Sequence, residues 1–97
     1  FAEPLSVDPS QLRWALRRRR KVRFRYRDGE DRPSERAVRP LALSFYGPVW
    51  LLAAWCELRQ DFRSFRLDRM AALELMDETF GPERGKTIHD FLKRNDN

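Results

Sequence analysis

The stretch KVRFRYR at residues 21–27 decides the fold, because the spacing of apolar residues changes there from a helical to an extended one. Val22, Phe24 and Tyr26 alternate with basic residues, and side chains two positions apart share one face of a strand. Residues 9–20 instead place apolar side chains three and four positions apart, which is typical of an amphipathic helix. The sequence therefore predicts a helix near residues 9–20, followed by a half-buried strand with a basic outer face.

Four further segments have the composition of short strands separated by turn residues. In chain order they are residues 35–46, 49–58, 63–67 and 72–78. Pro40 interrupts the first, so we expect a sheet edge or a bulge there, because proline has no N–H to donate. The second segment is apolar on both faces, which indicates a central strand.

Five strands in a chain of 97 residues can avoid open edges only by curling into a partial barrel. We therefore predict a mainly β fold, with a small, strongly bent five-stranded barrel and an N-terminal helix. A short C-terminal helix is expected from Thr87, with Ile88, Phe91 and Leu92 turned inward. The predicted domain comprises residues 1–80, and residues 81–97 form a tail.

The arginine-rich stretch FRSFRLDR at residues 62–69 fits a strand that runs into a turn. Alternation then places Arg63 on one face with Phe65, and Arg66 on the opposite face. Arg69 lies past the turn, where the alternation of the strand no longer applies.

The net charge of +5 is unevenly distributed along the chain. Residues 1–70 contain sixteen Lys/Arg and nine Asp/Glu, which gives +7, whereas residues 71–97 contain four and six, which gives −2. Such a basic field attracts anions and is typical of nucleic-acid binding; a solvated basic face without a specific ligand is the alternative. We expect residues 17–20 to act as a non-specific electrostatic collar.

Catalysis, metal binding and membrane insertion have little support in the sequence. The chain has one histidine, one cysteine and no glycine-rich phosphate loop, so we predict neither an enzyme nor a cofactor nor a metal site. It also lacks a run of about 18 apolar residues, so no membrane partner is expected. Cys56 alone cannot form an internal disulfide, which indicates a reducing compartment, the cytoplasm.

Four blocks of the sequence resemble the WYL domain, the C-terminal regulatory module of many bacterial helix-turn-helix transcription factors. They are RFRYRD at 23–28, ERAVRPLAL at 35–43, GPVWLLAAW at 47–55 and FRSFRLDRM at 62–70. The resemblance extends over residues 12–80. The Trp-Tyr-Leu that names the family appears here as Trp50-Leu51-Leu52, so its tyrosine is missing.

This resemblance implies an Sm-like, SH3-like barrel and the role of an effector-sensing domain. Such a domain binds single-stranded nucleic acid or a nucleotide-like anion, and it modulates DNA binding by a separate helix-turn-helix domain of the same protein, usually as a homodimer. Guanidinium groups fork onto phosphate, and aromatic rings stack on bases. The candidate ligand-binding residues are Arg63, Arg66, Arg69, Trp50, Arg36 and Tyr46.

The three arginines of residues 62–69 cannot all project alike, so we expect them to have different roles. One or two would line an anion site near Trp50 on the adjacent strand. The remaining arginine would hold the turn by bonding Asp68 or backbone carbonyls. A protein-interaction or dimerisation module, in which the arginines pair with acidic residues of a partner, is the alternative, and a nuclease or other enzyme ranks last.

Overall fold

The computed structural model describes residues 5–95. Five antiparallel strands form one sheet, and one helix precedes the strands in the chain while another follows them. The elements are α1 (Pro9–Arg18), β1 (Arg20–Arg27), β2 (Pro33–Tyr46), β3 (Val49–Cys56), β4 (Asp61–Arg66), a short 3-10 helix (Leu67–Arg69), β5 (Met70–Thr79) and α2 (Ile88–Asn95). The strand order is β4-β3-β2-β1-β5. The predicted mainly β fold with five strands and two helices is confirmed. In residues 5–95 neither helix has the length or the hydropathy needed to cross a bilayer.

Helix α1 begins where the capping residues predict and ends two residues earlier than predicted. The Asp8 side chain accepts a hydrogen bond from the Ser10 N–H at 2.9 Å and caps the first turn. Leu12 and Ala15 are fully buried against the sheet. Arg19 has a φ of 52°, and this left-handed conformation ends the helix. Arg20 is therefore the first residue of β1 rather than the last residue of the helix.

The sheet is strongly bent. In a flat sheet β4 and β1 would lie about 14 Å apart, because two strands separate them and each strand spacing is about 4.8 Å. The ring of Phe65 in β4 nevertheless lies 5.0 Å from Tyr26 and 5.1 Å from Phe24 in β1. The register of β2 with β3 shifts between Pro40 and Ala42, so the predicted irregularity is a bulge in an internal strand. Within the described residues β4 and β5 are not paired with each other, so the sheet is not closed.

Strand β3 is covered on both faces, as its apolar sequence predicts, but it is not the central strand. It lies next to the edge strand β4, and β2 occupies the middle of the sheet. Leu52 and Cys56 are buried on the inner face, which holds the core. On the outer face Trp55 packs against Phe62 of β4 at 5.2 Å, and Phe91 of α2 lies 5.4 Å from Phe62.

Helix α2 is capped at Thr87 as predicted, but it packs by a narrower face than predicted. The Thr87 hydroxyl accepts from the Asp90 N–H at 3.1 Å, and the Asp90 carboxylate accepts from the Thr87 N–H at 3.1 Å. Ile88 and Phe91 are partly buried. Leu92, which was expected to point inward, is 57% exposed, because the next residue along a helix points about 100° away from Phe91.

Replacing Phe65 tests whether the aromatic contact between β1 and β4 holds the bend. Phe65→Ala removes a side chain that is only 2% exposed, and we expect it to lower the free energy of unfolding by about 3–5 kcal/mol in urea denaturation. Phe45→Ala is the matched control, because Phe45 is 56% exposed and its main loss is one ring contact of about 0.5–1.5 kcal/mol. Equal losses for the two variants would show that the bend does not depend on Phe65.

Candidate anion-binding site

The basic side chains on the outer face of β1 are mostly paired with acids from neighbouring strands. Lys21 Nζ lies 2.7 Å from Glu57 and 2.5 Å from Glu78, and Arg23 Nη2 lies 2.9 Å from Glu74. The pairing of β5 with β1 explains this, because the register sets Glu74 opposite Arg23. The acidic end of the chain therefore neutralises much of the basic run, and we refer to these pairs as the outer ion-pair ladder.

Glu57 is the most enclosed carboxylate of the outer ion-pair ladder. It is 25% exposed and lies between Lys21 at 2.7 Å and Arg39 at 3.4 Å, whose side chains are 12% and 14% exposed. Burial raises the pKa of Glu57, but the hydrogen bond from Lys21 and the charge of Arg39 outweigh it, so the pKa lies below its ordinary value. We therefore assign the Glu57 carboxylate a structural role, which is to hold the Lys21 and Arg39 side chains together.

Three of the four residues predicted to form an electrostatic collar, residues 17–20, lie at the end of α1. Arg17, Arg18 and Arg19 are exposed at the end of α1. Arg20 is instead held on the sheet, because its Nε donates to the Met76 carbonyl at 2.7 Å. Arg20 therefore does not lie on the helix end as predicted, whereas the electrostatic role of residues 17–20 stays a prediction.

Two of the three arginines in residues 62–69 hold turns. Arg66 donates to both carboxylate oxygens of Asp68, at 3.0 and 2.7 Å, and this hydrogen bonding lowers the pKa of Asp68. Arg69 Nη1 donates to the carbonyl oxygen of Asp28 at 2.9 Å, which ties the β4–β5 connection to the β1–β2 turn. We expected one of the three arginines to hold a turn, whereas in the structure two of them, Arg66 and Arg69, make turn contacts.

Arg63 is the member of this group whose guanidinium is open to a ligand. It is exposed on the edge strand β4, where it lies opposite Ala54, and within residues 5–95 it makes no ion pair. It lines a polar pocket of about 280 Å³ with Phe62, Ser64, Phe91 and Arg94.

Arg36 is half-buried on the inner face of β2, on the same side as Phe24, its pairing partner in β1. Its Nε donates to the Ser34 hydroxyl at 3.0 Å, and its Nη1 lies 3.7 Å from the Cys56 sulfur. Its guanidinium carbon lies 5.9 Å from the centre of the Phe65 ring.

Two of these arginines contact one pair of aromatic rings, Arg36 through its guanidinium and Arg66 through its backbone N–H. Tyr26 and Phe65 pack edge to face at 5.0 Å, and the Tyr26 hydroxyl accepts from the Arg66 N–H at 3.1 Å. The arginines come from β2, from β4 and from the turn after it. We call this set the arginine cluster: Arg36, Arg63, Arg66 and Arg69.

Trp50 and Tyr46, the other two candidate residues, lie on the β2–β3 hairpin. The Trp50 ring packs 4.9 Å from Phe45 and 5.3 Å from the Arg13 guanidinium of α1. Tyr46 is 67% exposed. In the described part of the chain the aromatic and cationic neighbours of Trp50 are thus Phe45 and Arg13, not the arginine cluster.

Sequence reasoning missed two basic residues that border these surfaces. One is Arg13, which lies over Trp50. The other is Arg94, which forms a bidentate ion pair with Asp61. Arg94 follows Phe91 by three residues, and residues three apart share a helix face, so the inward Phe91 could have indicated its position.

The fold and the arginine cluster define a small β domain with a basic surface backed by aromatic rings. The chain belongs to the WYL domain family, since the family model matches residues 9–75.

Two known proteins are similar to this chain. It is 41% identical over 61 residues to the DNA-binding transcriptional repressor CapW of Stenotrophomonas maltophilia, which covers 62% of this chain and 20% of the repressor. It is also similar in structure to Proteasome accessory factor B/C (PafBC) of Arthrobacter aurescens, with a TM-score of 0.65 and 32% identity. That match covers 81% of this chain and 13% of the other, so the chain spans only a small part of either relative.

Because Glu57 is paired in the outer ion-pair ladder, we expect its replacement to lower the free energy of unfolding by an amount that depends on pH. Because its folded pKa is depressed, its charge contributes stability above the unfolded pKa, and this contribution is lost as the pH falls through the folded pKa. Glu57→Gln should therefore cost on the order of 1 kcal/mol at neutral pH. The difference from wild type should shrink below about pH 4.

Urea denaturation from pH 3 to 7 measures this difference, and Glu74→Gln is the control because its ion pair with Arg23 is exposed. A difference that stays constant with pH would contradict a structural role for the charge of Glu57.

Proposed function

We propose that this domain senses an effector that carries phosphate, either single-stranded nucleic acid or a nucleotide-like anion. In a longer regulator, effector binding would modulate DNA binding by a separate helix-turn-helix domain. The observation that carries the proposal is that most basic side chains of β1 are neutralised in the outer ion-pair ladder, whereas the guanidinium of Arg63, at one of the predicted ligand positions, is left without a carboxylate among residues 5–95.

The chemistry of the arginine cluster supports a phosphate ligand. Guanidinium donors match phosphate oxygens in a fork geometry, and they are more weakly hydrated than an ammonium group. Arg36 and Arg63 both belong to the inner face of the sheet, and neither forms an ion pair with a carboxylate of residues 5–95. A phosphate near Phe65 could therefore approach unneutralised guanidinium groups.

A single strand fits this surface better than a duplex. Reading a duplex requires a helix or a two-stranded ribbon that enters the major groove, and the arginine cluster lies on a bent sheet. Single strands are held by basic grooves together with aromatic rings that stack on bases. The half-buried Trp50 and the exposed Tyr46 on the β2–β3 hairpin are the rings that we propose for stacking.

The relatives support the regulatory part of the proposal. One is named a DNA-binding transcriptional repressor, and the chain matches a fifth of its length, so most of that protein lies outside the matched part. A sensing module that acts on a separate DNA-binding domain agrees with this arrangement. A homodimer and a cytoplasmic location remain part of the proposal.

A protein-interaction module is the second candidate, and one observation favours it. Phe45 and Tyr46 are 56% and 67% exposed at the end of β2, and large apolar groups of this kind are often found in protein interfaces. In that reading the open guanidinium of Arg63 would pair with an acidic residue of the partner.

Titration with single-stranded DNA at two salt concentrations separates the candidates, because phosphate contacts make the affinity fall steeply with salt. We expect Arg63→Ala to cost about 1.5–3 kcal/mol of binding and to leave the melting temperature nearly unchanged. Arg66→Ala should do the reverse, since Arg66 already bonds Asp68. Arg84→Ala, which removes an exposed charge elsewhere, is the control.

Wild-type affinity in the Arg63→Ala variant for single-stranded DNA, RNA and mononucleotides would overturn the sensing proposal. The interaction module would then be the better interpretation, and the exposed hairpin would be the next surface to mutate.

A further inference from the structure

The edge strand β4 and the helix α2 enclose a pocket that contains two arginines. The Phe62 and Phe91 rings, which lie 5.4 Å apart, and Ser64 line it from the outer face of the sheet. Arg63 alternates with Phe62 and Ser64, so it borders the pocket from the inner face at the open edge of β4, and Arg94 borders it from α2. The cavity measures about 280 Å³ and is lined mainly by polar surface. Because β4 is an edge strand, the pocket opens to solvent along its unpaired side.

One carboxylate, Asp61, lies beside both arginines and does not neutralise the pair. Arg94 donates to it through Nη1 and Nη2. Hydrogen bonds from Arg94 and from the Phe62 N–H hold the pKa of Asp61 below its usual value, and the charge of Arg63 lowers it further. Two cations and one anion leave the pocket with one net positive charge.

We propose that Arg63 and Arg94 together bind a phosphate group in this pocket, so that helix α2 forms part of the ligand surface. The proposal rests on the proposed function and deepens it, because it adds a second guanidinium beyond the matched residues 9–75. The Ser64 hydroxyl is a third donor, and the two rings form an apolar wall for the adjoining sugar or base.

Asp61 holds Arg94 in place while the site is empty, and it competes with the ligand for the same guanidinium. The bidentate pair orients the Arg94 side chain over the start of β4. The fork leaves the Nε–H of Arg94 for a second acceptor. A phosphate that enters between the two arginines either shares Arg94 with Asp61 or displaces it.

Three variants of the 97-residue chain separate direct binding from a structural role. Arg94→Ala removes the proposed phosphate donor, and Lys93→Ala removes the same charge from the adjacent, exposed position of α2. Asp61→Asn breaks the same ion pair as Arg94→Ala but leaves Arg94 in the pocket. It also keeps an oxygen to accept the Phe62 N–H, which now bonds Asp61 at 2.8 Å.

The measurement is the affinity for a short single-stranded DNA without a terminal phosphate, for a nucleoside monophosphate and for inorganic phosphate. We expect Arg94→Ala to weaken binding on the order of ten-fold, the lower end of the range for a charged hydrogen bond. Lys93→Ala should change it by less than about two-fold. Asp61→Asn should strengthen binding a few-fold, because it adds one net positive charge to the pocket.

The three ligands identify the source of the phosphate. If Arg94→Ala loses affinity for the oligonucleotide, the site binds a phosphodiester of the strand. If it loses affinity only for the monophosphate or inorganic phosphate, the site binds a small anion. With a strand, Arg94→Ala should also reduce the slope of log affinity against log salt by about 0.7, the value for one lost phosphate contact.

Three results would overturn the inference. If Arg94→Ala binds like Lys93→Ala while Arg63→Ala loses affinity, α2 is not part of the surface and the proposed function stands. If Asp61→Asn and Arg94→Ala weaken binding equally, the ion pair acts only by shaping the pocket. Absence of binding by the wild-type chain to all three ligands would overturn the proposed function as well.

Discussion

The packing of Phe65 against Phe24 and Tyr26 is the contact on which the rest of the structure depends. It joins β4 to β1 across the inner face, although two strands separate them in the sheet. Because β4 ends above β1, a 3-10 helix of three residues is long enough to start β5 beside β1. The same proximity lets the Tyr26 hydroxyl accept the Arg66 N–H, so the bend and the turn stabilise each other.

The topology also sorts the charges of the chain. Pairing of β5 with β1 brings the acidic C-terminal residues beside the densest basic run, and the outer ion-pair ladder follows from that register. Its solvent-exposed pairs, such as Arg23 with Glu74, add little stability, but they neutralise charge that a ligand would otherwise meet. Among the described residues, exposed arginines outside the ion pairs remain, for example, at the end of α1, at Arg25 of β1 and at Arg63 of β4, so the positive charge of the molecule lies in separate places rather than in one continuous run.

The order of elements was predictable because its signals are local. The spacing of apolar residues changes from helical to alternating at Lys21, and turn residues separate the strands. The bend followed from the number of strands, and the bulge followed from Pro40. The position of β3 beside the edge was not predictable, because burial on both faces is compatible with any internal strand, and its Trp55 is covered by Phe62 of β4, which in turn packs against Phe91 of α2.

The candidate site was predictable only in part. Strand alternation correctly separated Arg63 from Arg66, and the short separation of Arg66 from Asp68 indicated that a turn arginine exists. Arg69 bonds a carbonyl 41 residues earlier in the chain, and no pattern within its own segment indicates that partner. The ion pair of Arg94 was not predictable either, since its partner Asp61 lies 33 residues away, although the spacing of three from Phe91 indicates the helix face of Arg94.

The junction between α1 and β1 consists of one residue, and both backbone groups of that residue are bonded. The Arg19 N–H donates to the Leu16 carbonyl at 3.3 Å, and the Arg19 carbonyl accepts from the Phe80 N–H at 2.9 Å. These bonds, together with the burial of Leu12 and Ala15, hold the start of β1 and the end of α1 in one fixed arrangement. A displacement of α1 would therefore be passed directly to β1, whose Tyr26 hydroxyl accepts the Arg66 N–H.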